Sequence, residues 1–546
     1  MLRSFLILIT LILLSSTAIC QADQTPQDYL NKDFHQSRRE ALRSLLPHNS
    51  VAVFFANPVR NRSNDVSFVY HQDPNFFYLT GYKEPHSVLL IFSEDQIEND
   101  AKTFNELIFI QERNKQEELW TGKRLGVSGV TEKLGFEHVF NGSDFFDLSI
   151  DFKKFDKILI FDFKDDYRSS RHNDADLYKL TEDFKKKISF DKSLIPNPAK
   201  ERLYKLIKST EVENSANVAQ LLGRYFQYYP EFTDDQLLVG YQNANTNELR
   251  KEFKQKISLE LTAKPKTNID IYSLSYLMGT LREVKSEQEL TLLKKAVNIS
   301  AIGQVEIMKA MHPEMSETEV QGIHEFVYKK YGAEFEGYPS IVGAGNNGCV
   351  LHYIENNKTK VGNELVLMDL GAEYRGYTAD VTRTIPANGK FTPEQKAIYD
   401  LVYKSQEAGI VAAIVGNPFN APNEATREII NNGLLQLGII KSIDEDHNYY
   451  PHGSTHYLGL DVHDAGTFGP FKANTVITVE PGIYIPEGSP CDKKWWGIAV
   501  RIEDDILITE TGPEILSAVA PRKSEEIEKM MALRSALDDF TLPKLD

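Results

Sequence analysis

Residues 363–385 read NELVLMDLGAEYRGYTADVTRTI, two apolar runs on either side of a short polar centre. Residues 364–370 and 377–385 read as strands around a turn near 373–376. Asp369 and Asp380 are equidistant from the midpoint between Tyr374 and Arg375. In a regular hairpin on that centre they face each other, with Cβ atoms about 5 Å apart. Two bare carboxylates at that range repel by roughly 3–4 kcal/mol at an effective dielectric of 20. A shared cation removes the penalty; a wide loop that separates the two acids would avoid it.

Two more carboxylates lie in similar settings. ANTVITVEPG (473–482) ends a β-branched run with Glu480, and Pro481-Gly482 stops the strand there. In GIAVRIEDDILIT (497–509), Ile498, Val500 and Ile502 alternate with Ala499, Arg501 and Glu503. One face is core, and Arg501 and Glu503 point together to the other. Each glutamate alone reads as a surface charge. Asp369, Asp380, Glu480 and Glu503 together carry about four negative charges, which two divalent cations balance and one does not. HGSTHYLGLDVHD (452–464) adds His452, His456 and His463 within thirteen residues, in a chain with 13 histidines among 546 residues. Oxygen ligands with one imidazole suit Mn²⁺, with Co²⁺ or Zn²⁺ as alternatives; thiolate is absent. A two-metal site of this kind points to hydrolase chemistry.

The surrounding segments define an α+β domain over residues 283–535. Ser286 and Glu289 form a capping box, followed by Leu293, Val297, Ser300, Gln304, Ile307 and Met311 at helical spacing. Ser316 with Glu319, and Thr392 before Pro393, open two further helices. Residues 28–195 alternate strand-like runs such as SVAVFFA (50–56) and SVLLIF (87–92) with amphipathic helices, an α/β pattern. Residues 196–262 are polar and helix-periodic, and read as a helical insertion.

NGCVLHYIEN (347–356), VLMDLGAEYRGYTADVTRT (366–384), HGSTHYLGLDVHD, TVEPGIYI (478–485) and VRIEDDILIT (500–509) resemble, in that order, the motifs of the pita-bread metallopeptidases of family M24. The nearest resemblance is to the Xaa-Pro aminopeptidases, the aminopeptidase P group. It extends to YHQDPNFFYLTGY (70–82) and ELWTGKRLG (118–126), which look like that group's non-catalytic, creatinase/aminopeptidase P-like N-terminal domain. It covers most of the chain except roughly 196–262.

The resemblance implies a C-terminal pita-bread domain with Asp369, Asp380, His456, Glu480 and Glu503 as ligands of two divalent metal ions. It implies catalytic roles for His352 and His463, which steady the intermediate or move protons, and for Glu480 as proton acceptor. It also implies substrate contacts for His452, Arg501, Tyr338 (in EGYPSIV, 336–342) and Trp120, with Arg501 also organising the site. GSTH departs from the family, with Ser454 and Thr455 where a larger and then a small residue are usual. The implied activity is release of the N-terminal residue from peptides with proline second. A Xaa-Pro dipeptidase would share every ligand. Pita-bread domains also serve as metal-free binding modules, but all five ligands stand here. Methionine aminopeptidase would leave the N-terminal region unexplained.

Composition narrows the partners. A formal charge of −17 without a long Lys/Arg run argues against nucleic acid. Hydrophobic content of 41% and charged content of 25% are those of a globular protein with several domains. MLRSFLILITLILLSSTAICQAD (1–23) pairs one arginine with an apolar run and small residues, the pattern of a secretory signal peptide ending near residue 22. The mature protein is then secreted or periplasmic, and touches a membrane only if Cys20 is lipid-anchored. Three cysteines make neither a disulfide framework nor a cysteine-rich metal site. The family's habit of self-association implies a homo-oligomer.

Overall fold

In the computed structural model, residues 26, 28–97, 103–164, 169, 173–263, 266–540 and 542 are described. The expected signal peptide and Cys20 lie outside them.

The N-terminal domain is a six-stranded mixed sheet covered by helices. Its strand order is Val139–Asn141, Thr103–Ile110, Val88–Ile97, Ser50–Phe55, Lys157–Ile160 and Ile269–Asp270. SVAVFF is buried on both faces, as expected of a central strand, and pairs antiparallel with Val88–Ile97 and parallel with Lys157–Ile160. The last strand follows the helical segment in sequence, so the domain does not end at residue 195. It resumes near 269, because the sheet needs that strand to cover the open edge of Lys157–Ile160.

Between these strands lie the helices Pro198–Ser209, Ser215–Tyr228, Gln236–Asn243 and Asn247–Glu260. They close on a core of their own, with Leu203, Ile207, Leu222, Leu238 and Ile257 at its centre. A separate core lets such a segment be carried without disturbing the sheet.

In the C-terminal domain, helix Glu287–Ala310 starts at the Ser286 capping box and Pro393–Ala412 at the Thr392 box. These helices and Glu317–Lys330 pack against small antiparallel sheets. One sheet joins Ile341–Ala344, Leu365–Leu370 and Val381–Pro386; another joins Val476–Val479, Asp504–Thr509 and Gly512–Ile515. Phe76 and Tyr78 of the N-terminal domain share one apolar cluster with Leu293, Tyr377 and Leu458. The two domains therefore meet through a common core.

The hairpin register differs from the sequence reading. Asp369 pairs with Thr382, and Tyr374 with Tyr377, so the turn is Arg375-Gly376. Asp380 is thus not the cross-strand partner of Asp369; it is the diagonal neighbour, two residues away on the same face. The reason is the backbone: both turn residues have positive φ, +53° at Arg375 and +88° at Gly376, as a two-residue hairpin turn demands. Arginine tolerates this because Glu334 accepts from its amide N–H at 2.8 Å and Asp28 from its Nε at 2.7 Å.

Candidate active site

Asp369 is the penultimate residue of the buried strand Leu365–Leu370, and Asp380 sits in the short break between Tyr377–Thr378 and Val381–Pro386. Gly371 makes room between them for Tyr338: a Cβ there would lie 2.6 Å from the tyrosine ring and 2.1 Å from Ala379 O. The Tyr338 hydroxyl faces Oδ1 of both Asp369 and Asp380. Tyr338, expected to contact substrate, holds the two acids. One hydroxyl proton between two carboxylates satisfies both only if one acid is protonated or a cation joins them.

The histidine loop is laid along the strand Val476–Val479. Thr478 N donates to His456 O at 3.0 Å, and Glu480 N to Ser454 O at 3.0 Å. His456 Nδ1 lies 2.9 Å from Tyr457 O, which fixes that nitrogen as the donor and leaves Nε2 with a free lone pair. Nε2 is 3.4 Å from Asp380 Oδ2 and 3.6 Å from Glu480 Oε1. Glu503 N donates to Thr382 O, and Thr382 Oγ1 donates to Glu503 Oε2 at 2.6 Å. Ligand atoms of Asp380, His456 and Glu503 all lie within 4.8 Å of one another.

Arg501 crosses the floor of the site. Its Nη2 donates to Asp369 Oδ2 at 2.7 Å and its Nη1 to Tyr484 Oη at 2.9 Å. Tyr484 Oη in turn lies 2.8 Å from His452 Nε2, while His452 Nδ1 reaches Gly453 O. Arg501 thus ties Asp369 to the Tyr484–His452 pair. His463 stacks on His456, with centroids 4.0 Å apart and planes 16° apart, and stands exposed at the mouth with His352.

The charges in this pocket cannot all be ionised unaided. Burial, then the Asp369 and Asp505 charges, hold Asp380 well above the usual carboxylate range. Burial and the Asp380 charge do the same to Glu503. Burial lifts Glu480 to about 7, against the pull of His456 and Arg501. Asp369 stays below its ordinary value because Arg501 and Tyr338 outweigh its burial. Burial, then neighbouring imidazoles, lower His463 to about 4; burial, with Arg501 and Arg427 adding to it, lowers His452 to about 4. Both rings are neutral at pH 7. Four carboxylates with one guanidinium leave three negative charges, more than one divalent ion neutralises. The donor set therefore fits divalent cations.

Residues 291–510 match the family described as Metallopeptidase family M24, and residues 35–154 match Aminopeptidase P, N-terminal domain. The chain is 32% identical to the Xaa-Pro aminopeptidase of Escherichia coli, over 92% of this chain and 98% of that one. The chain belongs to the aminopeptidase P group of metallopeptidase family M24. It is a metallopeptidase with the group's N-terminal domain and pita-bread catalytic domain. Among solved structures, Pseudomonas aeruginosa aminopeptidase PepP matches with TM-score 0.69 and 29% identity, covering 93% of this chain and 99% of that one. Escherichia coli aminopeptidase P with the inhibitor Pro-Leu matches with TM-score 0.68 and 30% identity, covering 92% and 98%.

One expected site residue is not brought to this pocket. Trp120, with Leu119, projects from the short helix Glu118–Thr121 and is 88% exposed. It is not a core aromatic. Sequence reasoning missed Thr382, Tyr484 and Asp505. Thr382 and Tyr484 follow Asp380 and Gly482 at strand spacing, so alternation could have placed them. Asp505, which accepts from Asp380 N at 3.1 Å, lies on a buried strand with no alternation to mark it.

Proposed function

We propose that this chain is an exported Xaa-Pro aminopeptidase with a two-ion metal centre held by Asp369, Asp380, His456, Glu480 and Glu503, with Mn²⁺ the best-suited ion. The observation that carries the reading is that Asp380 and Glu503 offer ligand atoms within 4.8 Å of the His456 imidazole, with Glu480 3.6 Å from its free Nε2 and Asp369 joined to Asp380 through the Tyr338 hydroxyl. Divalent cations held by these residues would supply polarisation of a peptide carbonyl and a bound water acidified toward a pKa of about 7. Glu480, at the edge of that site, would accept the proton that the water gives up. His463 and His352 present N–H groups from the mouth to the developing oxyanion and to the leaving prolyl nitrogen. His452, oriented by Tyr484, contacts the peptide.

The N-terminal sequence supports secretion or a periplasmic location, with a lipid anchor at Cys20 as the alternative; mass spectrometry of the mature N-terminus decides between them. A homo-oligomer is proposed from the group's habit and would show in sedimentation. The central test is cleavage of Xaa-Pro dipeptides and Xaa-Pro-Xaa tripeptides, with and without added Mn²⁺, alongside metal analysis. Tripeptide cleavage stimulated by Mn²⁺ supports the proposal. Cleavage of the dipeptide alone would make the chain a Xaa-Pro dipeptidase, and activity in metal-free protein would overturn the metal assignment.

A further inference from the structure

Behind the loop that carries His456 and His463 lies a buried ionic cluster that the proposed chemistry does not use. Arg282, 2% exposed, ends the helix Ser273–Arg282, which leads from the N-terminal sheet into the catalytic domain. Its Nη1 donates to Asn75 Oδ1 at 2.8 Å, on helix Pro74–Thr80 of the N-terminal domain. Its Nη2 donates to Asp461 Oδ2 at 2.8 Å and to Asp464 Oδ1. Lys285 Nζ donates to the other Asp464 oxygen at 2.8 Å. One guanidinium thus holds both carboxylates that flank His463 and reaches across the domain boundary.

The loop itself is drawn tight. Asp464 N donates to Tyr457 O at 2.9 Å, and Thr378 N to Gly459 O at 2.8 Å. A Cβ at Gly459 would sit 2.1 Å from Asp464 Oδ2, so the loop closes on the carboxylate with no slack. The imidazole of His463 makes no hydrogen bond to any described residue; it has only its stack on His456. Its aim is therefore set by the backbone at 461–464, which the Asp464 N–Tyr457 O bond, Lys285 and Arg282 hold, and Arg282 alone grips both Asp461 and Asp464.

We infer that Arg282 is a positioning residue for His463, and that through Asn75 it makes the N-terminal domain part of the catalytic geometry. The inference rests on reading His463 as a group that meets the reacting peptide. A histidine tethered only by stacking swings away when its loop relaxes, and displacement by about 1 Å is enough to cost turnover.

Arg282→Met is a usable probe because it strands no buried charge. Asp464 keeps Lys285, and the Asp461 side chain is 47% exposed to water. Steady-state kinetics on an Xaa-Pro tripeptide would compare full-length, metal-loaded wild type, Arg282→Met, Asp461→Asn, Asn75→Ala, His463→Ala and the double variant His463→Ala/Arg282→Met. Arg282→Met should keep its metal content and hold KM within about twofold, while kcat falls about tenfold. Asp461→Asn and Asn75→Ala should move the same way by less. On the His463→Ala background, Arg282→Met should cost less than about twofold, since the group it positions is gone. An equal loss of kcat on both backgrounds, or loss of metal, would mean that Arg282 supports the fold at large and would overturn the inference. If Arg282→Met does not fold, Asp461→Asn and Asn75→Ala carry the same cycle. If His463→Ala leaves kcat unchanged, the role given to His463 falls, and this inference with it.

Discussion

Glu480→Gln should make the metal-free protein more stable at pH 8 than the metal-free wild type, and most of the gain should be gone by pH 5. Glu480 is lifted from its ordinary 4.5 to about 7, first by burial. A carboxyl whose folded-state pKa lies above its unfolded value keeps a proton in the folded state that the unfolded chain has released. Its contribution is therefore full below about pH 4.5 and is lost as pH rises through 7. At about 1.4 kcal/mol per pH unit, that displacement is worth about 3 kcal/mol, as an upper estimate because water enters an emptied site. Glutamine keeps the shape and carries no charge, so it escapes the loss. For a folding unit the size of the M24-matched segment this is about 5–10 °C in Tm. Other groups also titrate: His35, His86, His324, His452 and His463 are each held near 4, which opposes the trend below pH 6.5. They are common to both proteins and cancel in the difference. Thermal melts in chelator at pH 5, 6, 7 and 8 give that difference directly; bound metal would mask it by mass action. A difference that stays flat with pH would refute the claim that Glu480 is forced toward neutrality by its site.

Three further outcomes are expected. Metal-free Asp380→Asn should melt above metal-free wild type at neutral pH, since burial and Asp369 oppose its charge whether the two acids are opposed or diagonal; a lower melt would show that they do not repel. His456→Ala should lose metal, whereas His463→Ala and His352→Ala should keep it and lose about 10²–10⁴ in turnover, read by metal analysis beside kinetics; a metal-free His463→Ala protein would mean that the wrong histidine has been made the ligand. Arg501→Lys should weaken metal binding about 10–100-fold in a metal titration, because one ammonium cannot span both Asp369 and Tyr484; wild-type affinity in that variant would count against the role given to the guanidinium.

Much of the site could be read from residues alone, and the reason is periodicity. Strand alternation put Arg501 and Glu503 on one face, and Pro481-Gly482 marked where Glu480 emerges. Asp369 and Asp380 shared a face in the sequence and share one in the structure, because a register error of two residues preserves parity. Caps at Ser286 and Thr392 were equally legible, since a capping box is closed within four residues.

Only the tertiary structure decided what depends on residues far apart in the chain. The hairpin register followed from a positive φ at Arg375, tolerated because Asp28 and Glu334 arrive from elsewhere to hold it. Tyr338 became a partner of two acids because Gly371 lets its ring approach, a fact about packed volume rather than pattern. That Trp120 stands exposed was not legible, since nothing in the local sequence of a four-residue helix distinguishes a core face from a solvent face. The Arg282 cluster joins residues 75, 282, 285, 461 and 464, and no short-range rule relates them. Local rules determine which way a side chain points; whether anything waits there to meet it is settled when the chain closes on itself.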